Sequence, residues 1–559
     1  MPEEKEPLNF IEHIIEEDLK TTHKKEELCF RFPPEPNGYL HIGHASSICL
    51  NFGLGTTYNA PVNLRFDDTN PTKEEQEYVD AIKKDITWLG HGWASERYAS
   101  DYFQQLYDWA VMLIENGKAY VDSQTSEQMA AQKGTPSTPG TASPFRERGV
   151  KENLGLFNKM KEGKTTEGEH VLRAKINMAS PNMLMRDPVM YRTLHKHHHR
   201  TGTEWKIFPM YDWAHGQSDY IEQVSHSFCT LEFLPHRELY NWFLDQIGTQ
   251  GNLRPKQREF ARRNISHTVV SKRKLARLVQ GGTVNGWDDP RLPTISGMRR
   301  RGYTSDSIRN FAKSIGVGKR ENLIDVSHLE YHVREDLNKK APRVMAVLDP
   351  LKVVVTNYPA DGEAWLEAEN NPGDKNAGSR KLPFSNELYI EKGDFREEAN
   401  RKFFRLKLGG EVRLKNGYII KANKAVKDPA GNITEVYCTY DPDSRSGSGT
   451  AASMRKVKGT LHWVSAKHAL PITVRLYDRL FTDPAPDTHR DRDFLEFINP
   501  SSLQTITAFG EPGLKELRPG DSVQFQRLGY FVVDADSTET ETVFNQTVPL
   551  RDRWGKLSQ

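Results

Sequence analysis

Two histidines three apart, His41 and His44, follow a loop that cannot be regular structure. Pro33, Pro34, Pro36 and Gly38 bar helix or ladder across 33–38. From His41 onward Ile42, Ala45, Ile48, Cys49 and Phe52 recur at three- and four-residue spacing, which predicts a helix. The apolar run Leu28-Cys29-Phe30 before the loop reads as a buried strand. The unit is then strand, polar loop, and a helix whose first turn carries both histidines. A helix N-terminus offers unpaired N–H groups and partial positive charge, a seat for phosphate. His41 and His44 share a face and can bond the same anion. Gly43 between them leaves room for a planar base or ribose against the backbone. The plainer alternative is a strand–helix connection in which the histidines are polar caps.

Other groups could join that chemistry. Asp67-Asp68 closes the run Val62–Phe66, where an acidic pair caps a helix as readily as it serves a ligand. Lys272 lies in Thr268-Val269-Val270-Ser271-Lys272-Arg273-Lys274. A flexible loop with a central lysine suits phosphates that move during a reaction, although basic runs are also ordinary solvated surface. The cluster His195-Lys196-His197-His198-His199 has no cysteine nearby, and consecutive residues point to different sides. It reads as polar surface or an RNA-facing edge, with no protein-bound zinc expected.

The elements that must hold these groups follow from periodicity. Residues 8–27 read as a helix with an apolar stripe of Phe10, Ile11, Ile14, Ile15 and Leu19. A strand over 62–66 and a helix over about 73–88 come next. Strand–helix alternation implies a right-handed parallel sheet with ligands at the carboxyl ends of its strands. From 101 to 205 the texture changes to helix over 101–116, then a Gly/Ser/Thr/Pro-rich loop over 133–144. Trp205–Trp213 reads as a strand running into a loop, and Phe228–Phe233 as another apolar run. Residues 274–340 are mostly helical, with a turn at Trp287–Thr294. Beyond 343, short alternating runs separated by Gly, Pro, Asn and Asp predict antiparallel β barrels, with loops at 369–380 and 441–455.

Composition sets the class. The 559 residues suffice for several domains, and net charge is only +2, with mean hydropathy −0.69. No apolar run approaches the ~18–20 residues of a membrane span. Met1 to Glu6 is acidic and unlike a secretory leader, and the four cysteines form no CxxC, so a reducing cytoplasm is expected. Charge is local: Arg254 to Arg277 holds nine Lys or Arg against Glu259 alone, and Arg299-Arg300-Arg301 follows. Such runs can contact nucleic-acid phosphates.

The stretch FPPEPNGYLHIGHA, with His41-Ile42-Gly43-His44 intact, resembles the HIGH signature of class I aminoacyl-tRNA synthetases in their glutaminyl and glutamyl branch. RFDDTNP, PMYD and WDDPR resemble the same branch, and VVSKR resembles a degenerate KMSKS loop in which Val269, Val270 and Arg273 depart from the pattern. The resemblance runs from about residue 8 to Asp552-Arg553-Trp554. It implies a Rossmann-like catalytic domain in two halves (26–100 and 206–273) behind an N-terminal helix (1–25). An insertion (101–205) receives the acceptor end of tRNA, a helical connector (274–340) comes next, and two anticodon-binding β barrels (341–559) close the chain. The β-rich tail disfavours the bacterial glutamyl type, which carries a helical cage. The implied activity is ATP-dependent attachment of L-glutamine to glutamine tRNA through an adenylate, by a monomer, with Mg²⁺ arriving on ATP and amino-acid activation requiring tRNA. His41, His44 and Lys272 would act on the phosphates. Glu35, Pro36, Asn37, His41, Ile42, Gly43, His44, Ala45, Ser46 and Ser47 would line the nucleotide, with Thr230, Arg262, Arg263, Val270, Ser271 and Lys272. Asp67 would hold the substrate ammonium, and the Tyr211 hydroxyl would read the side-chain amide. An arginine aimed at that side chain would instead favour glutamate. Anticodon candidates are Arg343, Arg405, Arg413, Gln524 and Arg527, with Phe403 and Phe404 able to stack on a base and Lys402 standing where the family pattern leads one to expect an amide. The alternatives are a glutamyl enzyme of archaeal architecture, a non-catalytic tRNA-binding relative, and a tRNA-independent nucleotidyltransferase.

Overall fold

The computed structural model describes residues 7–72, 75–249 and 251–551. The acidic stretch Met1 to Glu6 and Asp552-Arg553-Trp554 lie outside the described residues. The chain divides into two compact units, Met1–Asn264 with Ala312–Ile324, and Ile265–Phe311 with Asp325–Gln559.

The first unit opens with α1 (Phe10–Thr21), shorter than the 8–27 expected. Asn9 Oδ1 accepts the N–H groups of Ile11 and Glu12, and Glu12 accepts the Asn9 N–H at 2.7 Å, a reciprocal cap that fixes the start. β1 (Phe30–Phe32) begins later than Leu28, pairs parallel with β2 (Val62–Phe66), and β2 pairs parallel with β3 (Glu96–Tyr98). Between them run α2 (Ile42–Tyr58) and α3 (Gln76–Trp88). Phe30, Leu64 and Phe66 are fully buried, each contributing roughly 1.5–3 kcal/mol of transfer free energy.

After β3 the chain builds a separate layer: α4 (Phe103–Glu115), β4 (Ala119–Asp122), α5 (Ser126–Gln132), α6 (Val150–Lys161), β5 (Val171–Ala174), β6 (Val189–Thr193) and β7 (Ile207–Pro209). The four strands form one antiparallel sheet in sequence order. Phe103, Leu106, Phe157, Leu172, Tyr191 and Phe208 share one core over it. Ile207–Pro209, expected in the second catalytic half, is thus the last strand of the inserted sheet, because it pairs with β6 (Tyr191 opposite Pro209). The segment after β7, expected as a loop, is helix α7 (Tyr211–Ile221). β8 (His226–Thr230), α8 (His236–Ile247) and β9 (Lys256–Phe260) complete the unit. β8 pairs parallel with β9 and lies beside β1, where the Ser225 N–H donates to Cys29 O at 2.9 Å. The chain thus goes from β1 to β2 and β3 on one side and returns on the other, and such a reversal opens a crevice at the strand ends.

In the second unit α9 (Lys272–Gln280), α10 (Ile295–Arg300), α11 (Ser305–Ile315, whose last turn falls in the first unit) and α12 (Val326–Lys340) realise the helical stretch. Two seven-stranded sheets come after them. One contains 350–355, 387–391, 411–414, 419–427, 433–441, 460–461 and 464–465. The other contains 470–477, 503–510, 522–525, 529–533 and 543–549, together with 343–344 and 346–347. Antiparallel pairs dominate these barrel-like sheets, as expected, with a few parallel pairs among them. Strand 350–355 is parallel to 433–441, and 343–344 is parallel to 522–525. The stretch 369–380 is mostly the loop of a hairpin whose strands, 364–369 and 379–384, were not foreseen.

Candidate active site

His41 closes the N-terminus of α2. Its Nδ1 accepts the Gly43 N–H at 3.1 Å, and the His41 N–H donates to His44 Nδ1 at 3.2 Å. The ring centroids are 3.9 Å apart. Because both Nδ1 atoms accept, each neutral ring carries its proton on Nε2, a donor suited to an anion. Gly43 has a reason within the chain itself: a Cβ there would lie 2.9 Å from His41 Cε1 and 3.1 Å from Nδ1. The glycine makes room for the histidine itself.

The loop before α2 is tied to the end of β2. Asp67 N–H donates to Pro34 O at 3.0 Å, Glu75 N–H donates to Pro36 O at 3.2 Å, and Asn37 Nδ2 donates to the Glu35 carboxylate. Ile42 and Ala45 are buried, Ser46 Oγ donates to Ile42 O at 3.3 Å, and Ser47 O accepts from Asn51. Thr230 ends β8, its Oγ1 2.7 Å from Glu232. Arg262 is partly buried, and Arg263 reaches Gly316 O and Arg320 O at 3.4 and 3.5 Å.

Beside this seat lies a buried polar cluster. Asp67 is buried, and its Oδ1 has no hydrogen-bond partner among the described residues. Tyr211, first residue of α7, stacks on His215 with centroids 4.8 Å apart and also packs against Phe233. Burial, with the negative charge of Asp67, raises the Tyr211 hydroxyl well above its ordinary value, so it stays a donor. Two arginines from the middle of buried strands enter the cluster. Arg31 bonds Asp219 Oδ1 at 3.1 Å and Phe228 O at 2.8 Å, and it also reaches Ser227 Oγ. Arg65 bonds the same Asp219 oxygen at 2.8 Å and faces Glu222 at 3.5 Å. His215 lies between them, 3.0 Å from Arg31 Nη2 and 3.3 Å from Arg65 Nη2. Tyr240 Oη donates to Asp219 Oδ2 at 3.0 Å. Burial alone would raise the Asp219 carboxyl, but Arg31 and Arg65 outweigh it and hold it far below the usual range. Burial raises the Glu222 carboxyl, with Arg65 pulling the other way. It also pushes the Cys29 and Cys229 thiols up to about 12.

The sequence pattern assigns no role to His215, Asp219, Arg31 or Arg65. The signal was present: a lone arginine inside each of two buried strands, Phe30–Phe32 and Val62–Phe66, must find a carboxylate.

In the second unit Lys272 is not in a flexible loop. It is the first residue of α9, after Ser271. The departures from the signature have a packing cause. Val269 and Val270 are buried, Val269 in a core with Leu275, Leu278, Leu480 and Phe494. Lys274 approaches Asp487 O at 3.3 Å, and Arg277 pairs with Asp493 at 2.7 Å. Lys272, Arg273 and Lys274 in one first turn stack like charges on the positive end of a helix, an arrangement that favours an anion there.

Of the anticodon candidates, Arg413 is held by Ser444 O, Ser453 O and Arg455 O, and Arg343 by Asn338 and Ala341 O. Arg405 and Arg527 both pair with Asp394, and Gln524 donates to Tyr530 Oη at 2.9 Å. Phe404 is 54% exposed. The histidine run also departs from expectation. His195 to His197 are exposed, but His198 is fully buried and His199 nearly so at its side chain, because both bond Asp68. No helix of the described residues is long and apolar enough to cross a membrane.

Residues 27–339 match the family model described as tRNA synthetases class I (E and Q), catalytic domain, and 341–441 and 460–534 match two models of the anticodon-binding domain of that class. The chain belongs to this family, the glutamate and glutamine branch of the class I tRNA synthetases. A protein of Rhodopirellula baltica named glutamine–tRNA ligase is 57% identical over 557 residues, covering 100% of this chain and 92% of that one. A Salmonella schwarzengrund protein of the same name is 54% identical over 558 residues, covering 100% and 99%. A solved glutamate tRNA ligase of Elizabethkingia meningosepticum aligns with a TM-score of 0.42 at 17% identity, over 56% of this chain and 70% of that one.

Proposed function

We propose that the chain joins L-glutamine to glutamine tRNA in two steps. The amino-acid carboxylate attacks the α-phosphorus of ATP and expels pyrophosphate. The adenylate then passes its acyl group to the 2′-hydroxyl of the terminal adenosine. No side chain forms a covalent bond, so rate enhancement comes from positioning and charge stabilisation. His41 and His44 donate from Nε2 to the triphosphate near the reacting phosphorus. Lys272, at the head of α9, neutralises the β- and γ-phosphates as they depart. Asp67 accepts the α-ammonium group, which satisfies its orphan Oδ1. The other nucleotide-lining residues shape the ATP seat, and Mg²⁺ arrives as the counter-ion of ATP.

The observation that carries the choice of glutamine is the engagement of both cluster arginines by Asp219. Two guanidinium charges meet the carboxylates of Asp219 and Glu222, so no net positive charge is left for a γ-carboxylate. Asp67 is the remaining charge, and it suits an ammonium. The Tyr211 phenol supplies a polar contact for the neutral amide, and polar discrimination of this kind can reach ~10⁴-fold. The insertion receives the acceptor end. The β sheets bind the anticodon through the more exposed candidates Arg405 and Phe404, while Arg343 and Arg413 serve mainly to hold their own loops. We expect a cytoplasmic monomer without bound zinc. The test is acylation of purified glutamine tRNA and glutamate tRNA with each amino acid. Glutamine on its own tRNA is the expected product, and attachment of glutamate alone overturns the reading.

A further inference from the structure

The strand end that carries Asp67 is braced from the inserted layer. His198 is fully buried, and its Nδ1 accepts the N–H groups of Arg200 and Thr201 at 3.2 and 3.1 Å. Its ring proton is therefore on Nε2, which donates to the main-chain carbonyl of Asp68 at 2.8 Å. His199 Nε2 lies 3.1 Å from Asp68 Oδ2. The same carboxylate accepts the Ser100 N–H at 2.8 Å and the Ser100 hydroxyl at 2.7 Å, and Arg200 donates to that hydroxyl at 2.9 Å. Arg200 also lies over the Tyr98 ring, 3.8 Å from its centroid.

Asp68, His198 and His199 bring ligand atoms within 4.8 Å of one another, which invites a cation reading. The hydrogen-bond directions oppose it. The His198 Nε2 lone pair is replaced by a proton aimed at a carbonyl, and both Asp68 oxygens already accept donors. The cluster is a hydrogen-bonded brace in which only His199 Nδ1 lacks a partner among the described residues. It acts one peptide away from Asp67, whose own N–H is held by Pro34 O at 3.0 Å. The other pocket residue, Tyr211, is likewise delivered by the inserted layer, since β7 ends two residues before it.

We propose that His198 and His199 are positioning residues for the amino-acid site: through Asp68 they fix where the Asp67 carboxylate meets the substrate ammonium group. The proposal rests on the functional reading in which Asp67 holds that group. The test uses the full-length enzyme with glutamine tRNA and the variants His198→Ala, His199→Ala and His199→Gln. The readouts are KM for glutamine, KM for ATP, and inhibition by 4-carbamoylbutanoate, which is glutamine without its amino group. His199→Ala and His198→Ala should raise the glutamine KM about tenfold or more, the scale of one charge-assisted hydrogen bond. The ATP KM should hold within about twofold. Inhibition by the amino-free analogue should not change, and His199→Gln, which keeps an N–H donor, should restore most of the affinity. An unchanged glutamine KM in His199→Ala overturns the proposal. So does equal weakening of the analogue, failure of the Gln rescue, or one equivalent of divalent metal in the purified wild type. If His198→Ala does not fold, the His199 pair decides. A wild type that never charges glutamine would instead refute the functional reading.

Discussion

Replacing Asp219 by Asn isolates the charge argument for glutamine selection. The substitution keeps an acceptor and the side-chain shape but removes the carboxylate that Arg31 and Arg65 share. Both guanidinium groups are fully buried; Arg65 keeps Glu222 as an ion-pair partner, but Arg31 loses its partner carboxylate. Leaving a buried charge uncompensated costs about 3–5 kcal/mol, a large part of the ~5–15 kcal/mol that holds a typical domain together. The pocket also gains one net positive charge. At an effective dielectric of about 20, a unit charge some 6–8 Å from a γ-carboxylate is worth roughly 2–3 kcal/mol. That is a shift of ~30- to 100-fold in the ratio of kcat/KM for glutamate to that for glutamine. The assay is acylation of excess glutamine tRNA with each amino acid, alongside urea unfolding at neutral pH. The sign with pH follows from the lowered Asp219 carboxyl, where burial is overcome by Arg31 and Arg65. Its contribution is complete above the unfolded value of about 4 and vanishes as pH falls through the depressed folded value. The stability gap between wild type and variant should therefore narrow only in acid. A variant with wild-type stability and an unchanged amino-acid ratio would sink the reasoning.

Three further outcomes are expected. Lys272→Ala should slow adenylate formation by ~10²- to 10³-fold, the size of one transition-state contact, while tRNA affinity measured by filter binding stays near wild type. Equal losses in both would contradict the role given to it. Gly43→Ala should push the His41 ring out of its cap and cost about 10²-fold in pyrophosphate release, with little change in glutamine KM; a wild-type rate would show that the cap is unimportant. Pyrophosphate exchange should require tRNA, and full exchange in its absence would remove that expectation.

The strand, loop and capped helix around His41 were legible because several constraints coincide there. Prolines exclude regular structure, a 3.6-residue period begins at His41, and the signature is dense. Asp67 was legible from its place at the end of a strand. What was not legible depends on partners distant in sequence. Arg31 and Arg65 lie 188 and 154 residues from Asp219, and His198 lies 130 residues from Asp68. Local rules therefore placed the histidine run on the surface. Tyr211 was assigned to a loop because β7 is only three residues long and ends in Pro209, which hides the helix start. The degenerate lysine signature looked like a mobile loop because the burial of Val269 depends on Leu480 and Phe494, far along the chain. In the β half, the missed hairpin of 364–369 and 379–384 exposes alternate polar residues on a separate two-stranded sheet, so its pattern resembles loop.

The sheet that takes in 343–344 at one end of the chain segment and 522–549 at the other has a consequence for synthesis. Gln524 is 181 residues after its partner Arg343 in the ladder. At ~5–20 residues per second, those early strands wait some 10–40 s on the ribosome for their neighbours. The other seven-stranded sheet, 350–465, is complete well before then and can fold as a nested body. Nascent chains released between 465 and 503 should therefore hold one finished sheet beside an unfilled edge at 343–347. That edge is where a chaperone or a protease would first find purchase.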